Sequence, residues 1–218
     1  SVPIYHWFVE TPSQANTWQG TQCSLFYDGE FYDNINVRKR GGSSSSWTKK
    51  SYKFDFNRGD HFEFDKAYGK AEEFNLNTTW SDKSYLRRIL CWESYQASGL
   101  PACLSFPVHL RQNGEFFALT TFVEQVDKHM LERYGWDDDS LGALYKMFNV
   151  LNKSSSGVEK KTRLHESHSD LKELVVGLKL LDQEQRNFVF DHVDIPAVVN
   201  YLAVTNLIHN IILKYLQY

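Results

Sequence analysis

The sequence predicts an α+β fold, on three observations. Aromatic residues alternate with polar ones through the first third, Asp-Gly and Asn-Gly pairs sit between such runs, and apolar residues recur at helical spacing through the last third. The order expected is strands, one helix, more strands, then helices. At 218 residues the chain is long enough for one large domain or for two small lobes around a shared cleft. Its 15 Phe, 12 Tyr and 6 Trp suit a substantial sheet with one buried face.

Residues 1 to about 66 read as antiparallel strands. Phe26-Tyr-Asp-Gly-Glu-Phe-Tyr32 places an Asp-Gly turn between aromatic runs, which is a hairpin signature. Tyr52, Phe54 and Phe56 alternate with Lys53 and Asp55, so one face is aromatic and Lys53 projects from the other. Asp82 to about Ala97 reads as a helix capped by Ser81 or Asp82, with Leu86, Ile89, Leu90, Glu93 and Ala97 on one stripe. Gly99-Leu-Pro101 ends it. A second hairpin follows, Phe106 to Gln112 and Glu115 to Val123 about Asn113-Gly114. Lys128 to Tyr134 reads as a short helix, and Lys153-Ser-Ser-Ser-Gly157 as a flexible loop. Leu171, Leu174, Val175, Leu178 and Leu181 share a helical face, and Asp194 with Pro196 opens a last helix through Tyr201, Leu202, Thr205, Ile208 and Ile212. The division expected is a strand-rich part over 1–126 and a helical part over 127–218.

With 24 basic and 27 acidic residues, a net charge of −3 gives no global reason to expect a nucleic-acid or anionic-membrane partner, so any anion site is local. No apolar run is long enough to span a bilayer. Cys23, Cys91 and Cys103 lack C-x-x-C spacing and read as ordinary buried thiols. Ser1-Val-Pro-Ile-Tyr5 lacks the basic and apolar regions of a signal peptide and reads like a strand entered in mid-protein, which leaves the compartment open. The sequence has no G-x-S-x-G elbow, H-E-x-x-H pair or Walker loop.

Four local features bear on chemistry. Arg40, Gly41, Gly42, Ser43, Ser44 and Ser45 form a loop suited to phosphate, with glycines for close backbone approach and charge from Arg38, Arg40, Lys49 and Lys50. A solvated serine-rich turn is the alternative. Glu93 on an apolar stripe needs a cation, for which Lys53 is the candidate, unless it lies at the stripe's edge and reaches water. Such a pair is how protein kinases hold the phosphates of ATP. Glu124, Gln125 and Val126 end an apolar strand where the chain leaves the sheet, and there backbone groups would read adenine or a plain turn would form. Val158 to Arg163 is a basic run, suited to phosphate or an acidic substrate but more commonly a solvated face. His165 and His168, with Glu166 and Asp170, are a weak metal pattern, and no metal ligand set is assigned.

Taken together, Arg40-Gly-Gly-Ser-Ser44, Lys49-Lys-Ser-Tyr-Lys53, Leu86-Arg-Arg88 and Val123-Glu-Gln-Val-Asp127 resemble, in order, the motifs of the CotH (spore-coat protein H) kinase family. Phe74-Asn-Leu-Asn77, Ser105-Phe-Pro-Val108, Gly142 to Phe148, Glu159 to Arg163 and Ile195 to Tyr201 extend the likeness to about His209. The resemblance implies an atypical protein-kinase-like fold, with an antiparallel-sheet N-lobe carrying one helix and then a helical C-lobe. It also implies ATP and Mg2+ as cofactors and transfer of the γ-phosphate to serine or threonine of proteins. By the same resemblance the Arg40–Ser45 loop covers phosphates, Lys53 and Glu93 are the ATP-orienting ion pair, and Glu124 to Val126 are the hinge.

After His209 the family pattern continues with an aspartate-containing catalytic loop, N-Y-Y-L-Y and W-D-x-D. This sequence instead reads Asn210-Ile-Ile-Leu-Lys-Tyr-Leu-Gln-Tyr218 and contains no W-D-x-D. The expectation is therefore an incomplete helical lobe, no catalytic aspartate and inefficient phosphotransfer, in a fragment or disrupted copy of a kinase or a degenerate relative. The alternative expectation is a non-catalytic surface or envelope module that binds another protein.

Overall fold

The computed structural model describes residues 1–65, 69–136, 142–148, 151 and 156–208. Two units divide the chain, one of Ser1–Glu93 with Ala102–Arg133, the other of Ser94–Pro101 with Tyr134–Tyr218.

The first unit runs β1 (Ile4–Phe8), α1 (Pro12–Ala15), β2 (Thr21–Tyr27), β3 (Glu30–Arg40), β4 (Ser51–Asp55), β5 (Phe62–Asp65), β6 (Gly69–Ala71), β7 (Glu73–Asn77), the start of α2 (Arg87–Ala97), β8 (Ser105–Gln112), β9 (Glu115–Glu124) and α3 (Lys128–Arg133). Both expected hairpins form. Asp28 and Gly29 join β2 to β3 with φ of 50° and 88°, and Asn113 and Gly114 join β8 to β9 with φ of 50° and 89°. These are the left-handed conformations that a two-residue turn demands and that Asn, Asp and Gly tolerate.

The expected kinase-like arrangement, a sheet lobe with one helix followed by a helical lobe, is not what forms. Seven strands close into a barrel in the order β1-β2-β3-β4-β7-β9-β8, antiparallel throughout except where β1 meets β8 in parallel. Ile4 to Trp7 pair with His109 to Gln112. Asn113 then latches the seam: its side chain accepts from Val9 N–H at 2.8 Å and donates to Val9 C=O at 2.9 Å. Its backbone N–H also donates to Trp7 C=O at 2.8 Å. Closure satisfies two strand edges that an open sheet would leave bare.

Period-two alternation puts Tyr5, Trp7, Leu25, Ile35, Val37, Phe54, Phe74, Leu76, Val108, Leu110 and Phe122 inside, each at most 1 % exposed. Phe54 stacks on Phe74 with ring centroids 5.0 Å apart, and Phe106 on Phe122 at 4.5 Å. Each such side chain contributes about 1.5–3 kcal/mol by leaving water. The β5–β6 hairpin stands outside the barrel order and adds Phe62, Phe64 and Ala71 to the same core.

α2 begins at Arg87, five residues later than expected, because Asp82 folds a turn ahead of it. The Asp82 carboxylate accepts from the backbone N–H of Ser84 at 3.1 Å and of Arg87 at 2.9 Å. Its buried positions are Ile89, Cys91 and Tyr95, while Leu86, Leu90, Glu93 and Ala97 of the expected stripe are exposed.

The second unit is not helical alone. It pairs β10 (Tyr145–Met147) with β11 (Val158–Lys160), then runs α4 (Ser169–Gly177), α5 (Asp182–His192) and α6 (Ile195–Leu207). α5 had no counterpart in the sequence reading. Gly177 lets α4 and α5 approach closely, since a Cβ there would lie 2.1 Å from the Phe188 ring. Asp194 caps α6 as expected, accepting from Ala197 N–H at 3.0 Å. Tyr95 hydroxyl to Thr205 hydroxyl at 2.8 Å and Asn200 to Ser98 C=O at 2.7 Å tie α6 to the end of α2. Most of the expected loop at 153–157, together with Asn210, Ile212 and the rest of 209–218, lies outside the described residues. The three cysteines are buried and free, and among the described residues no helix is long and apolar enough to cross a membrane.

Candidate functional site

With Tyr52 and Phe54 turned into the barrel, the odd-numbered residues of β4 face outward. Strand register then lines up Arg38, Lys53, Asn75 and Val123 in one row and Asn36, Asp55 and Glu73 in the next. Lys53 Nζ lies 2.8 Å from Asp55 Oδ1 and also contacts Glu73 Oε2, while Arg38 Nε lies 3.8 Å from Asp55 Oδ2. Burial and the adjacent Asp55 carboxylate raise the Glu73 carboxyl above its ordinary value, against the opposing pull of Lys53. Asn75, 1 % exposed, donates to Gln125 Oε1 at 2.9 Å. Arg40 pairs with Ser51 across the ladder and donates to the Asn77 side-chain oxygen.

The loop after Arg40 is built around Gly41, whose φ of 105° suits glycine and where a Cβ would meet Ser44 Oγ at 2.4 Å. Ser43–Ser46 make one tight turn. Within it Ser45 and Ser46 hydroxyls donate to the Gly42 and Ser43 carbonyls at 2.7 and 3.0 Å. Lys50 Nζ donates to Ser45 C=O at 3.0 Å. Lys49, named from the sequence only as a charge beside the loop, lies just ahead of β4. Its ammonium donates to Thr79 Oγ1 at 2.6 Å and to Leu119 C=O, and sits 5.3 Å from the Tyr85 ring centre. Desolvation, helped by the charge of Lys83, lowers its pKa.

The structure thus brings Arg40, the Gly41–Ser45 loop and Lys53 to one end and face of β3 and β4. It does not bring Glu93 to Lys53: Lys53 is held by Asp55 and Glu73, and Glu93 is exposed because α2 buries a different face. Glu124 is 6 % exposed and committed to structure. Its carboxylate accepts from Arg133 Nη2 at 2.6 Å and from Leu104 N–H at 2.9 Å, and its own N–H donates to Leu104 C=O at 2.9 Å. Gln125 and Val126 are half-buried. In the second unit Glu166 engages Arg163 and Lys160, and Asp170 accepts from the Tyr145 hydroxyl at 2.5 Å, so both acids beside His165 and His168 are taken.

The barrel is closed with a packed interior, and the basic residues of β3 and β4 and the Gly41–Ser45 loop lie on its outside. Residues 37–211 match the family described as CotH kinase protein, and the chain belongs to that family. No curated protein matches it. The match begins within β3, so β1 and β2, which close the barrel, precede it.

Proposed function

We propose that this CotH-family chain binds ATP on the outer face of β3 and β4 and serves a kinase-related reaction. The observation that carries the reading is the convergence of Arg38, Arg40 and Lys53 on neighbouring strands beside the Gly41–Ser45 loop. Guanidinium groups and an ammonium are the donors that phosphate oxygens take best, and a glycine-rich loop lets backbone amides approach them. Asp55 and Glu73 on the same face are of the donor type that Mg2+ uses, since that ion keeps most of its waters and takes one or two carboxylates plus phosphate. They would hold it, and Lys53 would turn from them to a phosphate oxygen. Gln125 and Val126, at the end of β9, are the backbone offered to adenine. Transfer of phosphate to serine or threonine of a protein is the reaction this reading extends to.

The test is calorimetry with ATP, with and without Mg2+, on the chain and on Lys53→Ala and Arg40→Ala. A charge-assisted hydrogen bond contributes about 1.5–3 kcal/mol, so either substitution should weaken Mg2+-dependent binding by at least about tenfold. Binding that ignores both substitutions refutes the site. The second reading is a non-catalytic module that binds another protein. It is favoured by the internal satisfaction of Lys53 and Arg40, and it stands if ATP does not bind at millimolar concentration.

A further inference from the structure

We infer that His61, Glu72 and His129 form a binding site for a divalent transition metal, best suited to Zn2+, on the first unit and made of none of the residues proposed to hold nucleotide or Mg2+. Three elements supply the ligands: His61 leads into β5, Glu72 stands between β6 and β7, and His129 is in the first turn of α3. One ligand atom from each lies within 4.8 Å of the others. Glu72 Oε1 is 3.5 Å from His61 Nε2 and 3.8 Å from His129 Nε2. Zn–N and Zn–O bonds of about 2.0–2.1 Å at tetrahedral angles set ligand atoms about 3.3 Å apart, close to this spacing. The backbone is fixed at two of the three positions. Glu72 C=O accepts from Phe56 N–H at 2.8 Å, and the Asp127 carboxylate accepts from His129 N–H at 2.9 Å.

His129 is the residue that an ordinary surface ion pair leaves unexplained. Its Nδ1 lies 2.9 Å from Glu132 Oε2, so Nδ1–H donates to that carboxylate, and in the neutral ring that a metal takes the lone pair falls on Nε2. Nε2 is buried without a hydrogen-bond partner. It therefore faces a carboxylate oxygen 3.8 Å away, too far for a hydrogen bond, an oxygen that now accepts from Lys128 Nζ. A cation there satisfies both at once. The carboxylate–histidine arrangement is the one that holds metal-ligating imidazoles in tautomer and orientation. Two imidazoles and a carboxylate leave one position of a tetrahedral ion to water, the open coordination that hydrolytic zinc sites use. Lys128 Nζ, 2.9 Å from Glu72 Oε1 and largely exposed, is the competing cation and can swing away.

Zn2+ affinity is measured by competition with a chromophoric chelator, and Co2+ is added separately to read its visible spectrum. One ion should bind per chain, and Co2+ should give the intense bands of four-coordination. Glu132→Gln should lower affinity by about 10–100-fold, and His129→Ala or Glu72→Gln by more. Lys128→Met should raise it by about 30-fold, the effect of one unit charge about 4 Å from a divalent ion in water. Glu132→Gln and Lys128→Met change exposed side chains and remain informative if His129→Ala fails to fold. A His165→Ala/His168→Ala variant should bind as the parent does. Absence of stoichiometric binding at micromolar Zn2+, binding lost in that control, or affinity unmoved by Glu132→Gln and Lys128→Met overturns the inference.

Discussion

Replacing Asn113 with glycine tests whether the sheet is closed. The side chain makes two hydrogen bonds to Val9, 2.8 Å to its N–H and 2.9 Å to its C=O, across the seam between β1 and β8. Glycine accepts the φ of 50° at this position at least as readily as asparagine, so the turn itself survives and only the latch is removed. Each hydrogen bond contributes about 1 kcal/mol net, which puts the loss near 2 kcal/mol and the change in the opening equilibrium at about 30-fold. Hydrogen exchange at the Val9 amide reads the latch directly, and urea unfolding reads its effect on the whole unit. Asn113→Asp keeps the acceptor for Val9 N–H but loses the donor for Val9 C=O, and should fall between parent and Asn113→Gly. An Asn113→Gly protein within about 0.5 kcal/mol of the parent, with Val9 as well protected, refutes the reasoning, because Asn113 bridges nothing in an open sheet.

Two further substitutions probe the outer face. Because the Glu73 carboxyl is raised above its ordinary value near 4.5, the folded state holds that proton more tightly than the unfolded chain does. Its contribution is therefore complete below about pH 4.5 and is lost as pH rises through the folded value. The stability of the parent relative to Glu73→Gln should fall across that window, measured as urea midpoints at a series of pH values; a difference that grows with pH contradicts the assignment. Gly41→Ala places a side chain where φ is 105° and Ser44 Oγ would be 2.4 Å away. The strain, about 1–3 kcal/mol, falls on the loop rather than the barrel, so ATP affinity should drop by about tenfold while the melting temperature moves little. Unchanged ATP affinity would remove the loop from the site.

Local structure was legible in the sequence wherever one or two residues decide it. Asp28-Gly29 and Asn113-Gly114 specified both hairpins, the alternation of Tyr52, Lys53 and Phe54 gave β4 its two faces, and Asp194 with Pro196 set the start of α6. What escaped were features that depend on distant partners. Closure needs Ile4 to find His109, and no local pattern announces a parallel pair so far apart. The face of α2 was misread because Leu86, Leu90 and Glu93 fit helical spacing as well as Cys91 and Tyr95 do, and periodicity alone does not say which stripe meets the protein. The cluster of His61, Glu72 and His129 has no sequence spacing at all, whereas His165 and His168 have a suggestive one with both neighbouring acids already engaged.

Closure also changes where function has to be sought. An open kinase-like sheet would offer a ligand one of its faces and a cleft below it, but this barrel is filled by Trp7, Phe54, Phe74 and Phe122, each fully buried. A small eight-stranded barrel is just wide enough to be packed by side chains, and seven strands leave less room still. The polar residues that a ligand would need are therefore on the outside, and several are buried there: Ser51, Asn75, Asn77 and Thr121 are each at most 5 % exposed. Buried polar side chains need partners, and among those of Asn75 and Asn77 are Gln125 and Arg40, two of the residues read from the sequence as touching nucleotide. Removing Arg40 or Gln125 thus takes a hydrogen bond from a buried amide as well as a contact from a ligand. A loss of ATP affinity in Arg40→Ala counts as evidence for phosphate contact only if Arg40→Lys, which keeps the charge, recovers more of the affinity than of the stability.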